Sequence, residues 1–268
     1  MRAAIVIISC DAFSDCWDPI FFSFEKFWPD CPYPIYLVNN FSKINNSKVN
    51  VINVGEDKGF ASNLKSALST LNYDYVFYFQ DDYFLSQKVN TQFIVDHLSY
   101  CINNDVDFLK IHKNDYMIRD KFQIADTDYC INPLDMRYSV NTSIAIWKKK
   151  TLELCCIDGY SGWEWERATI SIIKNLNISF NSQILHSSVM ITKGITTLPG
   201  GAVAKGKWTL SGKDFLLKYG FENVLPKRKI EGVIIANLTK LYNRYPKSIL
   251  KYPIALVVRI LLKYRINI

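Results

Sequence analysis

The chain has 268 residues, 49% of them hydrophobic and 21% charged, a balance that suits one globular core, with or without an appended segment, so that disorder is not the default reading. With 32 Lys and Arg against 25 Asp and Glu, the formal charge is +7, which favours anionic partners such as diphosphates, acidic lipid or nucleic acid. Seven cysteines contain no Cys-x-x-Cys pair, so neither a zinc ribbon nor a disulfide framework is supported and a reducing compartment fits.

Residues 3 to 9 (AAIVIIS) form a continuous apolar run, the pattern of a strand buried on both faces. The run is too short for a signal peptide. Trp17 to Trp28 carries apolar residues at helical spacing until Pro29, Pro32 and Pro34 stop it, and Ile35 to Val38 predicts a second strand. Val49 to Val54 predicts a third. Gly55 and Gly59 then open a helix over Phe60 to Leu71, with Ala61, Leu64, Ala67 and Leu68 on one face. Tyr75 to Phe79 (YVFYF) predicts a fourth strand that runs straight into Gln80-Asp81-Asp82.

Strands alternating with helices in this way predict an α/β fold with a mostly parallel central sheet and flanking helices. Such sheets bind ligands at the carboxyl ends of their strands. Cys10-Asp11, Asn39-Asn40, Glu56-Asp57 and Gln80-Asp81-Asp82 all fall there.

Further along, Thr91 to Asn103 and Glu164 to Leu176 predict helices, while Val106 to Ile111, Asn141 to Trp147 and Ser179 to His186 predict strands. Residues 194 to 208, with four glycines, read as a mobile loop. Basic residues crowd together from Lys205 onward. The stretch from Tyr242 to Ile268 alternates basic with aliphatic residues, a pattern suited either to lying flat on an anionic membrane surface or to packing on the body. No uncharged apolar stretch of about twenty residues occurs, so no membrane-spanning helix is expected.

Two constellations carry chemistry. Adjacent carboxylates at Asp81 and Asp82, where a buried strand empties onto a ligand-binding edge, are costly unless a cation or hydrogen bonds compensate them. Magnesium or manganese would do so through one or two carboxylates and substrate phosphates. A solvated turn or a helix cap is the plainer alternative. The second constellation is Gly159-Tyr160-Ser161-Gly162-Trp163-Glu164-Trp165-Glu166, a glycine-containing loop with two acids between indoles. Apolar neighbours could raise the pKa of Glu164 to suit a general base, and the indoles could stack on a sugar face; first-turn acids favoured by the helix dipole are the alternative.

On these motifs the N-terminal half resembles the A-type glycosyltransferase (GT-A) fold, particularly bacterial family 2 enzymes of surface polysaccharide and lipopolysaccharide synthesis. The resemblance implies a nucleotide-sugar donor site with Asp11 and Asp57 near base or ribose. It aligns Gln80, Asp81 and Asp82 on the family's Asp-x-Asp motif, with Asp82 on Mn2+ or Mg2+. Gln80 departs from that motif, an amide standing where the family has its first carboxylate. The resemblance also implies Glu164 as the base that deprotonates the acceptor, with Glu166 as its rival, Trp163 and Trp165 on the acceptor, His186 completing the metal shell, and Lys205 or Lys207 on the diphosphate.

The expectation is therefore a GT-A domain over residues 1–225, with a nucleotide-sugar half (1–110) and an acceptor half (111–225), followed by a basic helical segment (226–268). It would be a cytoplasmic, inverting glycosyltransferase acting on a glycan or lipid-linked glycan, with peripheral contact at the inner face of the cell membrane through that segment. A nucleotidyltransferase is the first alternative, although Asp11-Ala12-Phe13 is not its Gly-rich loop; a catalytically inactive binding protein of the same fold is the second. The basic residues follow no nucleic-acid-binding module, and His97 and His112 lack a recognisable nucleophile partner.

Overall fold

The computed structural model of the chain describes residues 3–113, 122–135 and 139–232. The segment 242–268, expected to touch a membrane, lies outside the described residues. The described residues form two compact units, one built from those within Met1–Asp81 and Leu85–Thr197, the other from Asp82–Phe84 and residues 198–232.

The first unit is an eight-stranded sheet flanked by helices. Its strands are β1 (Ala3–Ile8), β2 (Ile35–Asn39), β3 (Val49–Asn53), β4 (Tyr75–Gln80), β5 (Phe108–Lys110), β6 (Tyr129–Ile131), β7 (Ala145–Lys148) and β8 (Ser182–Leu185), in the order β3-β2-β1-β4-β7-β5-β8-β6. All six residues of β1 are buried, as its unbroken apolar run requires of a strand covered on both faces. β1 pairs in parallel with β2 and β4, and β2 with β3.

The pairing register levels the carboxyl ends. Ile8 lies opposite both Val38 and Gln80, and Asn39 opposite Asn53. The residues that follow these strands therefore share one rim.

The expected α/β class with a mostly parallel sheet is borne out, with antiparallel additions in the second half. β7 runs antiparallel to both β4 and β5, and β6 antiparallel to β8.

The helices of this unit are α1 (Trp17–Phe27), α2 (Phe60–Ser69), α3 (Thr91–Asn103), α4 (Lys149–Cys155), α5 (Gly162–Asn175) and α6 (Ser187–Lys193). α2 buries Ala61, Leu64, Ala67 and Leu68, the stripe predicted from spacing. They join a core that includes Val6, Tyr78, Trp147 and Trp165. Among the described residues no helix is long and apolar enough to cross a membrane.

The second unit contains the antiparallel pair β9 (Val203–Ala204) and β10 (Lys207–Trp208), and helix α7 (Leu210–Lys218). Part of the stretch expected to be a mobile loop is thus a hairpin. Lys205 and Gly206, with φ of 51° and 74°, form its two-residue turn, since a tight hairpin of right-twisted strands needs left-handed backbone at both central positions.

Candidate active site

On the shared rim, Asp11 follows β1 and clasps the end of β2. Its backbone N–H donates to Asn40 Oδ1 (3.1 Å), and its carboxylate accepts the N–H of Asn40 (3.0 Å), Phe41 (3.2 Å) and Ser42 (3.4 Å). Desolvation alone would raise the pKa of Asp11, but the Ser42 hydroxyl together with these backbone bonds holds it below the usual value. Asn40 continues the clasp by donating from Nδ2 to Gly55 O at 3.0 Å. Asp11 thereby organises the loop after β2, and Phe41 within that loop stays 68% exposed.

Asp57, after β3, accepts from Gly59 N at 2.9 Å and from Asn63 Nδ2 at 2.7 Å, which fixes the start of α2. Gln80 ends β4 half-buried, its amide 3.4 Å from the Tyr78 hydroxyl.

Asp81 is buried, and its carboxylate accepts a short hydrogen bond from the Ser9 hydroxyl. Ser9 in turn accepts from Trp17 Nε1 at 2.7 Å. Asp81 is therefore tied to the end of β1. The Cys10 thiol nearby is pushed up, first by burial and also by the charges of Asp81 and Asp57, which marks this rim as acidic.

Asp82 belongs to the second unit. Its carbonyl accepts Ala202 N–H at 2.8 Å. Burial of its carboxyl pushes the pKa up to about 7, against the opposing pull of its own and the Val203 backbone N–H groups and of the Arg228 charge.

Among the described residues no three His, Cys, Asp or Glu side chains gather as a metal cage. A desolvated carboxylate still fits a cation held through one protein oxygen and completed by phosphate and water, the usual manner of magnesium. Asp82 is the residue that fits this description. His186 serves as the N-cap of α6, its Nδ1 2.8 Å from Ser188 Oγ.

The loop opening α5 departs from expectation in two respects. Glu164 is exposed, and its pKa is lowered, chiefly because the Ser161 hydroxyl and backbone N–H hydrogen-bond to it. Those donors lie 2.7 and 2.9 Å from Oε2, and Glu164 N–H returns a bond to Ser161 Oγ at 3.4 Å. Ser161 and Glu164 form a capping box. The expected upward shift is corrected: water and cap donors surround this carboxylate where an apolar pocket was expected.

The second correction concerns Trp165. It is buried against Phe60 and Trp147 and donates from Nε1 to Cys155 O at 3.0 Å, so its ring is core rather than acceptor surface. Trp163, two residues earlier, is 71% exposed. Glu166 Oε1 accepts from Thr142 N (2.8 Å) and Oγ1 (2.5 Å). Lys205 lies exposed in the hairpin turn and Lys207 half-buried on β10.

Ser9 and Trp17 were missed as rim-builders from sequence, whereas Asn40 stood at an expected strand end. A small polar residue at the end of an apolar run is a signal for Ser9; the bond from Trp17 has none. A cleft of about 570 Å³ opens at the opposite, amino-terminal end of β4, lined by Tyr73, Lys148 and Glu153 among others, away from these carboxylates.

No family model matches the chain, and no curated protein matches it. Among solved structures, S. aureus TarS superposes with a TM-score of 0.48 at 12% identity, over 93% of this chain and 44% of that one. Its fragment 1-349 in complex with UDP-GlcNAc gives 0.45 at 13% identity, over 64% and 53%. Mannosyl-3-phosphoglycerate synthase from Rubrobacter xylanophilus gives 0.42 at 16%, over 69% and 65%. The chain thus spans less than two thirds of the TarS chains. Superpositions below 0.5 identify neither a family nor an activity.

Proposed function

We propose that the protein is a transferase using a nucleotide-sugar donor, of the GT-A type, that passes the sugar to a glycan or lipid-linked glycan. The observation that carries this reading is the acidic rim after β1, β3 and β4, followed directly in the chain by the desolvated Asp82. Ligands of parallel sheets bind at such strand ends, and a carboxylate ionising near neutrality invites a divalent cation and the diphosphate that comes with it.

In this reading Asp82 holds Mn2+ or Mg2+, which supplies Lewis-acid stabilisation of the departing diphosphate. Asp57 and the loop organised by Asp11 receive the base and ribose. Lys205 and Lys207 are the cations proposed for the diphosphate. Trp163, exposed beside the cap, is proposed as the surface for the acceptor sugar, a planar apolar face with water on its other side.

Glu164 is proposed as the base that accepts the acceptor's proton as its oxygen attacks the anomeric carbon, giving inversion. Both cap bonds from Ser161 fall on Oε2, so Oε1 is the oxygen for that task. Its low pKa keeps it ionised at neutral pH, at the cost of basicity. Peripheral attachment at the inner membrane face through the basic C-terminal segment belongs to the same proposal.

The test is thermal stabilisation by UDP-, GDP-, CMP- and dTDP-sugars, each with and without manganese. A donor at about a hundredfold above its Kd should add about 2.7 kcal/mol. Asp82→Ala should remove the manganese-dependent part and Glu164→Ala should leave it intact. No stabilisation by any of the four classes would sink the proposal.

A further inference from the structure

Within the second unit, Gly200 and Gly201 follow one another with nearly the same left-handed backbone, φ of +77° and +75°. Their surroundings differ. A Cβ on Gly200 would meet nothing within 4 Å, whereas a Cβ on Gly201 would lie 2.6 Å from Asp82 Oδ2 and 3.4 Å from its Cγ.

Gly201 is held on both sides. Its N–H donates to Leu198 O at 3.0 Å, its carbonyl accepts the Thr209 hydroxyl at 2.8 Å, and the next residue, Ala202, donates its N–H to Asp82 O at 2.8 Å. Thr209 is itself fixed as the N-cap of α7. The backbone at 201 therefore has little freedom to retreat, and the yielding partner is the short side chain of Asp82.

We infer that Gly201 is a positioning residue for Asp82: the bare Cα leaves the space in which the carboxylate sits, and any side chain there would turn that carboxylate out of its place. The inference rests on the reading of Asp82 as the cation-holding group. Its geometric content stands apart from that reading, because the contact between positions 201 and 82 has a signature in stability alone.

The experiment compares Gly200→Ala with Gly201→Ala in the full chain, each in the native background and with Asp82→Ala. Two quantities are read: the melting temperature without metal, and manganese binding in the presence of UDP or GDP, followed by the loss of the free-manganese paramagnetic signal. Both glycines impose the same left-handed strain on alanine, so Gly200→Ala corrects for it.

Gly201→Ala is expected to weaken manganese binding at least about tenfold relative to Gly200→Ala, the usual penalty for disturbing a group that orients a ligand. It is also expected to melt lower than Gly200→Ala, and the two should melt alike once Asp82 is alanine. If Gly201→Ala does not fold in the native background, its recovery by Asp82→Ala supports the same contact, and failure to recover overturns it. Equal manganese binding by the two glycine variants overturns the positioning role. If instead Asp82→Ala binds manganese and nucleotide as tightly as the native protein, the function proposed for Asp82 falls, while the melting temperatures still decide the contact.

Discussion

The turn after β4 and the loop opening α5 both present an acid expected to be functional, and the two acids meet opposite surroundings. At Asp82 the carboxyl is shielded from much of its water and its pKa climbs to about 7; at Glu164 the carboxylate stays exposed, gains two cap bonds and titrates lower than usual. Two neighbouring tryptophans do not desolvate Glu164, because one points into the core and the other into solvent. Proximity in sequence to apolar residues is therefore no measure of a carboxylate's environment. What matters is which side of the backbone each side chain occupies.

Trp165→Ala would break the α5 side of the comparison most severely. Removing this buried indole should cost about 3–5 kcal/mol, measured by urea unfolding, and a loss below about 1 kcal/mol would mean that the ring is not core.

Asp82→Asn comes next and sharpens the other side. With the folded pKa raised to about 7 above the ordinary 3.8, the folded state holds the extra proton. The group's stabilising contribution is thus complete below about pH 4 and lost as pH rises through about 7. The asparagine variant should be the more stable by a few kcal/mol at pH 8, at about 1.4 kcal/mol per pKa unit, and the difference should vanish near pH 4. Melts in the presence of a chelator would show it, and parallel pH profiles would refute it.

Ser161→Ala should cost about 1 kcal/mol through the lost cap. Glu164→Gln separates cap from chemistry, because glutamine can occupy the same place in a capping box. Its melting temperature at pH 7 should stay close to the native value while sugar transfer collapses; retained transfer would return Glu164 to a purely structural role and make Glu166 the candidate. The smallest effect is expected for Trp163→Ala, within about 0.5 kcal/mol in stability, with a raised KM for the acceptor as the functional sign.

Much of the frame was legible in the order of residues. The run AAIVII announced β1, the stripe Ala61, Leu64, Ala67 and Leu68 announced α2, and YVFYF placed Gln80-Asp81-Asp82 at a strand end. These features depend on local periodicity. β6 escaped because Tyr129–Ile131 has polar residues on both sides and no longer apolar run to announce it, unlike the equally short β5 within Val106 to Ile111, and the β9–β10 hairpin escaped because a Lys-Gly turn in a glycine-rich stretch looks like any loop until both residues are seen at positive φ.

What the amino-acid order determined by itself is the set of strands and helices in the first half and the polar residues that must follow each strand, because hydrophobic spacing and chain direction suffice for both. Only the tertiary structure decided what surrounds each acid there. Ser9 reaches Asp81 across 72 residues, Gly201 meets Asp82 after more than a hundred, and Trp165 turns away from Glu164 into a core shared with Phe60 and Trp147. Desolvation and hydrogen bonding depend on neighbours brought together by folding, and spacing along the chain does not encode them in any local pattern.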